Sequence, residues 1–159
     1  MAPAIAIAGA SLTLPPSTEA TQMKLSSMKV DSALIEQGDW VDNIPNLPGI
    51  RIKARGTNNK DYRALEGKLV RQIPTGDRAE GLSPEDQDRI AGTLLLETVV
   101  MDVDGLTEDD GKTPMKYTRE LGEQILLDPD FRTFQAGAAY AGGVIAQRRK
   151  PVQETETKN

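Results

Sequence analysis

Residues 49–55 (GIRIKAR) alternate apolar and cationic side chains. A period of two is typical of a strand with one buried face, and here it gathers three cations on the other face. Upstream, residues 38–44 (GDWVDNI) have the composition of a partner strand, and residues 45–49 (PNLPG) supply turn-forming residues between the two. The pattern predicts a β-hairpin at about residues 39–55.

Downstream of this hairpin the apolar residues recur at spacings of three and four, which is typical of amphipathic helices. We predict four helices, at about residues 58–73, 84–101, 118–127 and 129–149. Each follows a residue that can cap a helix N-terminus, and a proline stands at the first position of the second and fourth helices. These caps are Asn58 or Asn59, Ser83, Thr118 and Asp128.

These elements predict a mainly α fold with a small N-terminal β-hairpin, an α+β class, in a single domain at residues 23–149. Residues 1–22 are rich in Ala, Ser, Thr and Pro and carry one charge, Glu19, so we expect a flexible arm. Residues 150–159 are polar and contain a proline, so we expect a flexible tail. The apolar stripes predict one core that contains Leu65, Leu69, Ile90, Leu94, Ile125, Phe131 and Phe134.

The composition narrows the chemistry that the chain can perform. Among 159 residues there is no Cys and no His, which excludes disulfides, thiolate nucleophiles, imidazole bases and zinc sites of the usual kind. We therefore expect no catalytic activity and no cofactor. No basic segment followed by a long apolar run begins the chain, and no run approaches the roughly 18 apolar residues of a spanning helix, so we expect a soluble cytosolic protein without a membrane partner.

An acidic stretch at residues 102–111 (DVDGLTEDDG) begins like a calcium-binding EF-hand loop. The register fails, because Thr107 stands where the sharp turn requires Gly and Thr113 where a bidentate Glu is required. Catalytic carboxylate pairs require different surroundings for their two members, whereas pairs such as Asp109 with Asp110 lie in uniformly polar sequence that predicts solvent exposure for both. We interpret the stretch as an acidic connecting loop and predict no metal site.

Charge is segregated along the chain. Residues 51–73 hold seven cations and two anions, whereas residues 77–130 hold five cations and fifteen anions. This division favours binding to an oppositely charged protein partner or to a second copy of the chain. Nucleic acid is a less favoured partner, because no aromatic platform for base stacking accompanies the cations. The candidate partner-binding residues are Arg51, Lys53, Arg55, Asp102, Asp104, Asp109 and Asp110.

Two blocks of sequence, spanning about residues 23–149, resemble the tail assembly chaperones of long-tailed bacteriophages. The first block comprises residues 23–30 (MKLSSMKV), 38–41 (GDWV), 47–53 (LPGIRIK) and 58–65 (NNKDYRAL). The second comprises residues 102–106 (DVDGL), 109–112 (DDGK), 117–118 (YT) and 126–131 (LLDPDF). One departure is Val103, which stands where many relatives have an aromatic residue before the Asp-Gly pair.

The resemblance implies a small host-cytoplasmic protein that coats the tape measure protein, recruits subunits of the major tail tube protein and is absent from the finished virion. The competing interpretation is a structural tail or connector protein that remains in the particle. In both interpretations the chain acts by binding other proteins.

Overall fold

A computed structural model of the chain describes residues 22–150. This part contains five α-helices and a small antiparallel sheet, which confirms the α+β class and corrects the predicted four helices to five. The predicted arm and tail lie almost entirely outside the described residues. In chain order the elements are α1 Ser32–Gln37, β1 Asp39–Val41, β2 Arg51–Ala54, α2 Lys60–Gln72, α3 Pro84–Leu94, β3 Val100–Asp104, α4 Arg119–Leu127 and α5 Arg132–Gln147.

The predicted hairpin is present, and its two strands form part of a sheet with the order β1-β2-β3. Trp40 on β1 lies opposite Lys53 on β2. The loop between the strands holds three residues with positive φ, Asn43, Asn46 and Gly49, and residues of these types adopt that backbone region most readily. The turn-forming residues in the sequence therefore predicted the position of the hairpin correctly.

The prediction of a helix at 84–101 is wrong at its C-terminal end. α3 ends at Leu94, a π-helical turn covers Leu95–Val99, and the chain then pairs with β2 as the third strand, β3. Val100 and Val103 have the spacing of a helical face, but both are buried on the inner side of the sheet. Pairing with β2 makes Val100–Asp104 a strand instead of the end of a helix. This pairing depends on residues far away in the sequence, so local patterns do not predict it.

A short helix, α1, was not predicted. Asp31 caps it by accepting a hydrogen bond from the Leu34 amide at 3.2 Å, and of its six residues only Ile35 is buried. One buried residue leaves no periodic apolar stripe for sequence analysis to detect.

The predicted caps of three helices are confirmed. The side chains of Asn59, Ser83 and Thr118 accept hydrogen bonds from backbone amides in the first turns of α2, α3 and α4. The last helix differs from its predicted start: after Asp128, a 3₁₀ turn at Pro129–Phe131 precedes α5. The aspartate still caps that turn, by accepting from the Asp130 amide at 2.9 Å.

Within the described residues, the apolar side chains form two clusters instead of the single predicted core. The main cluster lies between the inner face of the sheet, α4 and α5, and contains Ile125 and Phe134 with Phe131 half-buried at its side. The second lies between α2 and α3, because α2 packs chiefly against α3 while α5 packs against the sheet. It contains Ile90 and Leu94, with Leu65 and Leu69 half-buried against them, and Tyr62 contacts both clusters.

Candidate partner-binding face

Strand alternation gives the sheet one apolar and one charged face. Ile52 and Ala54 are fully buried on the inner side, so Arg51 and Lys53 point to the other side. Residues that lie directly opposite each other in paired strands share a face, and this places side chains of β1 and β3 beside the cations of β2. We call the resulting surface the outer sheet face: Trp40, Arg51, Lys53, Asp102 and Asp104.

On the outer sheet face, predicted basic and acidic candidates stand side by side. Arg51 lies opposite Asp104 and Lys53 lies opposite Asp102. The Arg51 guanidinium is 3.9 Å from the Asp104 carboxylate, and both side chains are at least half exposed. Such an exposed pair contributes little to stability, so both charges stay available to a partner.

Trp40 adds an aromatic side chain to this charged surface. The Arg51 guanidinium lies over the indole ring, 5.1 Å from its centroid, in a cation–π contact. Trp and Arg are the residue types most often found at energetic hot spots of protein interfaces. The outer sheet face thus combines an aromatic anchor with both signs of charge.

The register of β3 slips by one residue at the edge of this face. Lys53 pairs with Asp102 but Ala54 pairs with Val100, so Met101 is the extra residue of a β-bulge. The Met101 side chain is exposed. Gly38, the residue before β1, leaves room for the Met101 sulfur, because a Cβ at residue 38 would lie 2.7 Å from it.

Arg55, the third predicted cation, is engaged within the chain. Its Nε donates to the Glu36 carbonyl oxygen at 2.7 Å, and its guanidinium also pairs with the carboxylates of Glu36 at 3.1 Å and Asp61 at 2.8 Å. Only 17% of its side chain is exposed. These contacts join the end of α1 to the start of α2, so Arg55 holds two helices beside the sheet.

Asp109 and Asp110 lie in the loop between β3 and α4, apart from the strands. The Asp110 carboxylate accepts hydrogen bonds from the amides of Lys112 and Thr113 and from the Thr113 hydroxyl. These bonds, with the hydroxyl bond as the largest cause, hold the pKa of Asp110 below its ordinary value. Asp110 therefore shapes its turn, while Asp109 is an exposed charge on the same loop.

Two open cavities of about 640 and 660 Å³ adjoin the N-terminal half of α5, and both include Arg132 in their walls. Within residues 22–150, no three Asp or Glu residues are grouped so that they could hold a metal ion. In the same range, no helix is both long enough and apolar enough to cross a bilayer.

Two residues of this region, Trp40 and Glu36, were not among the predicted candidates. Trp40 was placed on a strand, but the side to which it points depends on the register with Lys53, which the sequence did not reveal. Glu36, the partner of Arg55, lies on the helix that was not predicted. The period-two pattern of β2, extended to the partner strand, is the signal that could have found Trp40.

A family model described as YdaY prophage protein matches residues 57–159, well over half of the chain. The match includes Asp102, Asp104, Asp109 and Asp110, whereas β1 and β2 precede it. Searches of curated proteins and of solved structures found no significant match.

Proposed function

The chain belongs to the YdaY prophage protein family, and from that premise we propose that it is a non-catalytic tail assembly chaperone acting in the host cytoplasm. In this role it binds the tape measure protein, recruits subunits of the major tail tube protein and leaves before the virion is complete. The resemblance of residues 23–149 to such chaperones supports the proposal, as does the lack of Cys and His in the chain.

The observation that carries the proposal is the outer sheet face. A partly buried tryptophan, two cations and two carboxylates lie on one small surface, and the ion pair between Arg51 and Asp104 is loose enough to be exchanged for contacts with another protein. Exposed charges around an aromatic anchor favour fast and reversible association, which a chaperone requires.

Co-expression of the tagged full chain with the tape measure and tube proteins of the same prophage tests this role. We expect the chain to capture the tape measure protein, and the variant Arg51→Glu/Lys53→Glu to lose at least about tenfold of that capture. The matched control is Lys60→Glu/Lys68→Glu, which makes the same charge change on exposed positions of α2. Equal capture by both double variants would remove the outer sheet face from the proposal.

The alternative function, a structural tail or connector protein, predicts a different location for the chain. Mass spectrometry of purified particles should find the tube and tape measure proteins without this chain if it is a chaperone. Its presence at a fixed ratio to the tube protein would favour the structural role instead.

A further inference from the structure

The segment at residues 23–30, here called the arm segment, exposes an unusual amount of apolar surface. Four of the seven exposed large apolar side chains in the described range belong to it: Met23, Leu25, Met28 and Val30. None of them joins either apolar cluster. Contiguous apolar exposure on a soluble protein usually marks an interaction site.

The arm segment contains a 3₁₀ turn at Leu25–Met28, which ends in an extended residue, Lys29. Lys29 has φ −73° and ψ 126°, an extended conformation, and it stands between the apolar Met28 and Val30. The following residue, Asp31, is fixed to the body of the protein, because its amide donates to the Arg148 carbonyl oxygen at 2.9 Å. The apolar–cation–apolar triplet 28–30 therefore lies between a short 3₁₀ turn, held in part by the bond from the Lys29 amide to the Ser26 carbonyl oxygen at 3.3 Å, and an anchored residue.

To pair as a strand, this triplet needs an open sheet edge, and the edge at β1 is closed. The Asp39 carboxylate accepts from the Trp40 amide at 2.8 Å and from the Arg148 guanidinium at 2.6 Å. The same guanidinium reaches the Trp40 carbonyl oxygen at 3.4 Å. An ion pair thus occupies both backbone polar groups of Trp40 and takes the place that a neighbouring strand would fill.

The edge at β3 is closed only in part. No strand of the described residues pairs with its outer side. The Asp102 carboxylate accepts a hydrogen bond from the Val103 amide at 2.8 Å. A cation that binds this carboxylate could break the bond and free the amide. Asp102 and Asp104 also make the edge acidic, so a second copy of β3 could not pair there without bringing like charges together.

We propose that in one copy of the chain Met28 leaves the 3₁₀ turn, and that residues 28–30 then dock as a strand along the outer edge of β3 in a second copy. Lys29 then meets the carboxylates of Asp102 and Asp104, as Arg51 and Lys53 do from the other side of β3. When Asp102 turns to the ammonium group, the Val103 amide is released to bond with the incoming backbone. Because arm and edge are different surfaces, the contact is heterologous and extends from copy to copy.

Sedimentation velocity of the full chain over a range of concentrations tests this proposal at about 0.05 M and about 0.5 M salt. We expect self-association at low salt that weakens at high salt. Lys29→Glu should weaken it by at least about tenfold, whereas Lys24→Glu, the same change at the other lysine of the arm segment, should change it by less than about threefold. A parent chain that stays monomeric at low salt, or equal effects of the two substitutions, would overturn the proposal.

A mixing experiment guards against variants that merely misfold. Neither Lys29→Glu nor Asp102→Lys/Asp104→Lys should associate alone, because arm and edge then carry like charges. An equimolar mixture restores opposite charges at every contact and should associate again, with unchanged helical circular dichroism in each component. Failure of the mixture to associate would rule out this pairing of arm and edge. Neither experiment contains a tail protein, so both outcomes are independent of the chaperone role.

Discussion

The side-chain amide of Asn59 donates to the backbone carbonyl oxygen of Thr98 at 2.9 Å, across 39 positions of the chain. The same amide donates to the Gly56 carbonyl oxygen at 2.8 Å, and the side-chain oxygen accepts from the Tyr62 amide at 2.8 Å. Asn59 is fully buried. One residue thus caps α2 and fastens it to the π-helical turn that leads into β3.

Substitution of Asn59 should separate these two roles. Asn59→Ser keeps a cap acceptor but cannot serve both carbonyl oxygens, and we expect a loss of about 1–3 kcal/mol in the free energy of unfolding. Asn59→Ala also removes the cap and should lose about 1 kcal/mol more. Urea denaturation measures both. If Asn59→Ala costs less than about 0.5 kcal/mol, the bridge to Thr98 is not needed for stability.

The same Gly-to-Ala substitution should have opposite effects at two helical positions. A Cβ at Gly92 would collide with the Leu126 carbonyl oxygen, whereas a Cβ at Gly143 would meet no atom within 4 Å. Gly92→Ala should therefore destabilise by forcing α3 and α4 apart, and Gly143→Ala should stabilise by about 0.5–1 kcal/mol through helix propensity. Thermal unfolding followed by circular dichroism measures both changes in stability. A destabilising Gly143→Ala would mean that this glycine has a packing role.

The two phenylalanines form a second matched pair. Phe134 is 7% exposed within the main cluster, while Phe131 is half-buried at its side. We expect Phe134→Ala to lower the free energy of unfolding by about 3–5 kcal/mol and Phe131→Ala by roughly half as much. Chemical denaturation monitored through Trp40 fluorescence compares them. Equal losses would contradict the difference in burial.

Alkaline pH should weaken the fold. Burial raises the pKa of the Tyr117 hydroxyl, the Asp102 charge adds to the rise, and Arg119 opposes it; burial and Glu66 also raise the pKa of Tyr62. A folded-state pKa above the unfolded value of about 10 gives stability that is present below pH 10 and is lost as the pH rises through the folded value. Urea midpoints should therefore fall above about pH 10, and less steeply in Tyr62→Phe/Tyr117→Phe. A flat midpoint in the parent would refute this expectation.

How far the sequence predicted the fold depended on how local each signal was. The caps at Asn59, Ser83 and Thr118 act within one helical turn, and their helices were predicted within two residues at each end apart from the C-terminus of the helix that follows Ser83. β3 was missed because its residues were divided between the helix predicted to end at residue 101 and the acidic loop predicted from residue 102, and only pairing with β2 shows that Val100–Asp104 form a strand.

The outer sheet face could also be predicted only as far as local sequence patterns reach. Alternation along β2 correctly put Arg51 and Lys53 on one side of a strand. It could not show that Asp102 and Asp104 lie opposite them, because that register depends on a one-residue bulge at Met101 and on pairing across about fifty intervening residues. Cations and carboxylates that lie in separate parts of the sequence are therefore neighbours on one face of the folded chain.

The packing of α5 against the sheet also bears on how the protein is made. Ile52 on β2 and Ile145 on α5 are both fully buried in the main cluster, yet they are 93 positions apart in the chain. At about 5–20 residues per second, a ribosome needs about 5–20 s to reach the second after the first. During that time α5 is not yet available to pack against the apolar side of the nascent hairpin. A chain stalled before α5 should therefore be protease-sensitive, and folding should become protective only when the last helix is released.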